Sequence, residues 1–222
     1  MTDAAPLLFH FDFISPYAYL AWTQIHALAA RHGRAVRPVP ILFAALLDAH
    51  GHKGPAEIPP KRAYIFKDVV RTAHALGVPI GPPPAHPFNP LLALRIASLP
   101  MEDAARRRAI DALFLAVWGG EGPGVTEPGV VGALLCAAGL DGEGLVRAAG
   151  EEEAKLCVRR ATEGAIAAGV FGVPTVFVDG EMFWGVDALP HAEVRLRGRD
   201  PVDAAEMERW VGMPVGQARR GG

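Results

Sequence analysis

The sequence predicts an α/β fold carrying a large all-helical insertion, and three observations point there. Strand-like runs stand near the two ends, in the orders β-α-β and β-β-α. A stretch from 43 to 169 between them has helical periodicity broken by Gly and Pro. Half of the 222 residues are hydrophobic, enough for a sizeable buried core. Residues 1–42 and 170–222 then form one discontinuous α/β domain, and 43–169 the inserted helical domain.

Leu7 to Phe13 is short, apolar and aromatic-rich, as a buried strand is. Ser15 followed by Pro16 supplies an N-cap and a first-turn proline, so a helix runs from Pro16 through Leu28 and stops at Gly33. Ala35 to Val39 reads as a second strand closed by Pro40. In the helical block Ile65, Val69, Ala73 and Leu76 make one stripe, ended by Gly77 and Pro79. Asn89-Pro90 opens a helix through Leu99; Ile110, Leu113, Phe114 and Val117 mark the next, ended by Gly119-Gly120; another spans Glu127 to Ala138. The last helix of the block begins with Glu151, Glu152 and Glu153, acidic residues suited to a helix N-terminus, and ends at Gly169. Pro174 to Val178, a turn at Asp179-Gly180 and Glu181 to Trp184 form a hairpin. Helices near Asp187 and over Val202–Val211 follow.

Several function classes are excluded by charge and composition. With 22 basic against 24 acidic residues the net charge is -2, no electrostatic footprint for nucleic acid; the only basic cluster near an end is Arg219-Arg220. No window is long enough to span a bilayer, and MTDAAPLLFHFDF lacks the pattern of a secretory signal. Cys136 and Cys157 lie far apart in helical segments, and neither belongs to a C-x-x-C. A reducing, cytoplasmic location without a membrane partner is expected. His50 and His52 with His74 or His86 have no metal-ligand spacing, so no metal is expected. The glycines between Gly119 and Gly144 make no phosphate-binding fingerprint.

Two fragments carry chemistry. Ser15, ahead of Pro16, sits beside the unpaired N–H groups of a helix start, where an anion or thiolate is stabilised; the same dipeptide also reads as a simple N-cap. In GVFGVPTVFVDG, Val173-Pro174 stands at the head of a strand. A cis peptide there would leave the Val173 backbone free to pair with an extended ligand, whereas a plain loop-to-strand proline would carry no function.

The segments FDFISPYAYLAW, GHKGPAEIPPKRAYIFKD, HPFNPLLALR and GVFGVPTVFVDGEMFWGVD resemble, in that order and over nearly the whole chain, the 2-hydroxychromene-2-carboxylate isomerases and their kappa-class glutathione transferase relatives. That resemblance implies a thioredoxin-like fold with the helical insertion, a homodimer, and glutathione as cofactor. Disulfide-exchange relatives have Cys-Pro-x-Cys at the helix start; here Ser15, Pro16, Tyr17 and Ala18 stand there, so dithiol chemistry is excluded. The resemblance implies instead that Ser15 donates a hydrogen bond to a glutathione thiolate, that Val173 before Pro174 binds the tripeptide backbone, and that Lys61 meets a glutathione carboxylate. Asp187 is kept from the family pattern for the γ-glutamyl end and reads equally as an N-cap. Ala188 replaces the arginine that often follows, and His52 stands where relatives carry Asn, departures that bear on the carboxylate contacts of glutathione. Tyr17, Tyr64, Phe88, Asn89 and Trp184 belong to motifs that can face a cleft between the two domains, for a small aromatic carboxylate substrate, and read equally as ordinary core. The implied reaction is glutathione-dependent opening of a 2-hydroxychromene-2-carboxylate-like ring to a trans-o-hydroxybenzylidenepyruvate-like product. A kappa-type transferase or peroxidase, or a binding protein without chemistry, are the other readings.

Overall fold

The computed structural model describes residues 4–214 and residue 216; Arg219 and Arg220 lie outside them. The chain opens with β1 (Leu7–Phe11), α1 (Pro16–Arg31) and β2 (Val36–Pro40). β1 stops two residues before the end of its apolar run because Asp12 turns the chain: its side chain accepts from Ile14 N and its carbonyl from Ser15 N. Pro40, expected to close the second strand, belongs to it. β2 is an edge strand of a four-stranded sheet ordered β2-β1-β3-β4. Residues 35 and 41 hydrogen-bond to β1, so Pro38 and Pro40 direct their missing N–H groups to the open edge, where proline costs no ladder bond.

The segment that follows is all-helical: α2 (Phe43–Ala49), a single 3₁₀ turn (Pro55–Glu57), α3 (Pro59–Leu76), α4 (Leu91–Ser98), α5 (Asp103–Trp118), α6 (Pro128–Ala137), α7 (Gly142–Ala148) and α8 (Glu152–Ala167). Strand structure returns with β3 (Thr175–Val178) and β4 (Glu181–Trp184), before α9 (Leu189–Leu196) and α10 (Ala204–Val211). Asp179 and Gly180 both have positive φ, 50° and 84°, the requirement of a tight two-residue hairpin turn. β1 lies at the centre, parallel to β2 and antiparallel to β3.

An aromatic cluster joins sheet to helices. Phe9, Phe11 and Phe13, all fully buried, follow one face of the β1 segment and meet Trp22 of α1 and Phe114 of α5. The Phe13 and Phe114 ring centroids are 4.7 Å apart. Such rings are the largest single hydrophobic contributors to a core, and here they fix the end of β1 from below. Among the described residues no helix is long and apolar enough to cross a membrane, and no group of three or more His, Cys, Asp or Glu is placed to hold a metal ion.

Candidate active site

The turn from β1 into α1 places Ser15 as the N-cap, with extended backbone (φ -94°, ψ 117°) and only 9% of its surface exposed. Its Oγ accepts from Ala18 N at 3.2 Å. The two sequence readings of Ser15 are therefore compatible: capping uses a lone pair of the hydroxyl, and the O–H remains a donor. That O–H points to the Val173 carbonyl at 3.4 Å, a long contact that is weakly held and easily exchanged for a better acceptor. The amide supply is thinner than a helix start suggests. Pro16 has no N–H, Ala18 N–H goes to Ser15 Oγ, and Tyr19 N–H to the Ser15 carbonyl. Tyr17 N–H is thus the first-turn amide with no such bond among the described residues.

The surroundings hold this turn rigidly. Asp12, 1% exposed, accepts from Ile14 N at 3.0 Å and Phe43 N at 2.9 Å, tying the turn to the start of α2. Burial pushes its carboxyl up to about 7, against the opposing pull of the Phe43, Ile14 and Phe13 amides. Trp118 Nε1–H donates to the Phe13 carbonyl at 2.8 Å. His86 Nε2 lies 3.1 Å from the Ile14 carbonyl; since a carbonyl only accepts, Nε2 carries the proton. Burial holds the His86 pKa below its ordinary value, keeping the ring neutral near pH 7.

A cleft of about 760 Å³ opens over Ser15, the volume of a site for a sizeable small molecule. Its walls bring together Ser15, Val173, Lys61, His52 and Trp184, from five separate parts of the sequence. The Val173-Pro174 peptide is cis, and Pro174 is buried behind the lining at the head of β3. Asp187 is outside the lining. α9 begins at Leu189 with Ala188 at its N-cap position, so Asp187 does not cap the helix as its alternative reading has it. Its charge nevertheless reaches Tyr17, whose pKa is raised first by burial, then by the hydrogen bond to Asp68 Oδ2 (2.7 Å), with Asp187 contributing.

Besides Pro174 and Asp187, the motif residues Tyr64, Phe88 and Asn89 fall outside the cleft lining, while Tyr17 and Trp184 belong to it. Tyr64 is 63% exposed on α3, one turn from Lys61; it is not part of the lining, although it lies close enough to raise the pKa of Tyr17, which is. The Asn89 side chain accepts from Leu91 N at 3.0 Å, closing the local turn ahead of α4. Conversely, the cleft contains residues that sequence reasoning did not assign to it: Lys53, Arg62, Phe66, His86 and Phe171. Phe171 stands edge-on to Trp184 with centroids 5.0 Å apart, both at the mouth. Gly172 permits this approach, since a Cβ there would come within 2.5 Å of Trp184 Nε1.

With this geometry in hand, residues 7–197 match the profile of the DSBA-like thioredoxin domain. The 2-hydroxychromene-2-carboxylate isomerase of Sphingobium xenophagum is 30% identical over 192 residues, 85% of this chain and 96% of the relative. A solved structure of a 2-hydroxychromene-2-carboxylate isomerase superposes with a TM-score of 0.78 at 27% identity, covering 93% of this chain and 99% of that one. Glutathione S-transferase kappa 2 of Caenorhabditis elegans is 28% identical over 209 residues, 86% of this chain and 91% of the relative.

Proposed function

This chain belongs to the DSBA-like thioredoxin domain family and, within it, to the 2-hydroxychromene-2-carboxylate isomerases, and from that premise we propose a glutathione-dependent isomerase of 2-hydroxychromene-2-carboxylate-like compounds. The observation that supports it most is a serine hydroxyl whose proton is held only by a long contact to the Val173 carbonyl, at a helix start lining a cleft, where redox relatives would carry cysteine. The residues present fit the tripeptide. Ser15 Oγ–H and the Tyr17 N–H would hold the sulfur, the Val173 backbone would pair with an extended peptide, and Lys61 would offer a cation for a carboxylate. Asp187, near Tyr17, offers a negative charge for the ammonium group. When bound, glutathione would supply a thiolate nucleophile able to add reversibly to the conjugated carbon of a substrate whose ring C–O bond has opened, with Ser15 and the Tyr17 N–H placed to hold the sulfur charge before and after elimination.

Ser15 holds the sulfur charge. Lowering a thiol pKa by about two units requires roughly 2.7 kcal/mol. A hydrogen bond to a charged group contributes about 1.5–3 kcal/mol and a helix N-terminus about 0.3–1 kcal/mol. Ser15 with the α1 terminus therefore covers the requirement, even with one free amide. Phe171 and Trp184 at the mouth shield the site from water and offer flat faces to an aromatic ring. A homodimer is carried over from the resemblance, and a reducing compartment from the cysteine pattern, which the free Cys136 and Cys157 suit.

Mixing the protein with 2-hydroxychromene-2-carboxylate should change the absorbance only when glutathione is present, with none consumed. No change at any glutathione concentration rejects the reading. The kappa transferase likeness favours one second reading, conjugation of glutathione to an electrophile. Consumption of one glutathione per product would establish it.

A further inference from the structure

The cleft lining holds three cations, Lys53, Lys61 and Arg62, and a single carboxylate, Glu57, which is engaged by Gly54 N at 2.6 Å. The cations differ in kind. Lys53 and Lys61 are exposed chains whose ammonium groups can follow a ligand. Arg62 is half-buried, lies with its guanidinium carbon 5.3 Å from the centre of the Phe66 ring, and donates through Nη1 to the His86 carbonyl at 2.8 Å. Among the described residues it has no carboxylate partner. A partly desolvated cation without an acid is costly in a folded protein, and the remaining guanidinium N–H groups form a planar fork matched to a carboxylate.

The location is specific. Arg62 is linked to His86, His86 to the Ile14 carbonyl, and Ile14 adjoins Ser15, so the fork is coupled to the sulfur position from the helical side. Val173, which borders the path of the tripeptide backbone, approaches Ser15 from the sheet side. The geometry points to Arg62 as the residue that selects a carboxylate-bearing second substrate, through a two-pronged hydrogen bond from the guanidinium edge the protein leaves unpaired. This rests on the isomerase reading and adds the determinant of its substrate class. His86 is the positioning residue: its carbonyl orients Arg62 while its ring holds the Ser15 turn. Phe66 lies beneath the guanidinium plane and limits its rotation.

The test is calorimetric binding of 2-hydroxycinnamate and its methyl ester to the glutathione-loaded wild-type protein, Arg62→Gln and Arg62→Lys. Wild type should bind the acid at least about tenfold better than the ester. Arg62→Gln should lose about 10- to 100-fold for the acid, the range for a charge-assisted bond, and nothing for the ester, with glutathione affinity and bound-thiol pKa unchanged. Arg62→Lys should keep part of the acid preference, and it decides the matter if Arg62→Gln does not fold. Equal loss for acid and ester, a fall in glutathione affinity of similar size, or a raised thiol pKa would overturn the proposal, the last by assigning Arg62 to the thiolate. A wild-type protein that binds no glutathione refutes the isomerase reading, while the acid-against-ester comparison on the free protein still decides Arg62.

Discussion

The two walls of the cleft are built differently. On the sheet side, Asp12, Ser15 and Val173 are buried and joined by hydrogen bonds to one another's backbone segments, with Trp118 and His86 holding the Phe13 and Ile14 carbonyls from outside. On the helical side, Lys53 before the 3₁₀ turn, Glu57 in it and Lys61 at the start of α3 are exposed, with Arg62 the one anchored cation of the lining. The difference teaches a division of labour. A reacting sulfur needs a fixed donor, because the donor's worth depends on geometry; carboxylates at the periphery tolerate mobile cations.

Substitutions on each wall should break or sharpen that contrast. Phe114→Ala, in α5 but packed under Phe13, should lower unfolding free energy by about 3–5 kcal/mol in denaturant titration. A loss below about 1 kcal/mol would show that the sheet wall does not depend on its aromatic support. Asp12→Asn should cost about 1–3 kcal/mol at pH 5, because an amide cannot accept from both Ile14 N and Phe43 N. The wild-type carboxyl titrates near 7 when folded and near its ordinary 3.8 when unfolded. The folded state thus binds the extra proton between those values, and this group's contribution falls as pH rises through that window. The penalty of Asp12→Asn should accordingly shrink between pH 5 and pH 8; a penalty that grows would contradict the burial argument.

Smaller effects belong to the helical wall. Lys61→Met should raise the KM for glutathione by about 3- to 10-fold with kcat kept, the scale of a partly solvated ion contact. A matching fall in kcat would mean that Lys61 reaches the sulfur. Tyr64→Ala should leave kcat/KM within about twofold and stability within about 0.5 kcal/mol, as expected of an exposed side chain outside the lining. A larger loss would place Tyr64 in the site.

The sheet wall was far more legible in sequence than the helical wall, for a physical reason. Ser15-Pro16, Asp179-Gly180 and the Val173-Pro174 strand head are signals carried by adjacent residues, and the hairpin turn and α1 start stand where those signals put them. Arg62 and His86 enter the cleft only because α3 and the 81–90 segment fold back over the Ser15 turn, a contact no local pattern encodes. α2, seven residues long, is too short for its apolar spacing to set it apart from the helical block around it. α7, seven residues with Gly142 and Gly144 in its first turn, carries too weak a helical signal to stand out in the sequence. Its Gly142 is needed for packing, since a Cβ would lie within 2.0 Å of the Gly132 carbonyl of α6. Motif membership brings Tyr64 and Asn89 to the cleft's neighbourhood, but it specifies a segment and not the direction of its side chain. Asp187 was expected at a helix start that lies two residues further on.

Titrating the thiol of bound glutathione, by thiolate absorbance in the ultraviolet, tests the central claim most directly. In the wild-type protein the thiol should ionise about two units below its free value of about 8.5, and Ser15→Ala should return most of that shift. An unshifted thiol in the wild type, or a shift that survives Ser15→Ala intact, would contradict it.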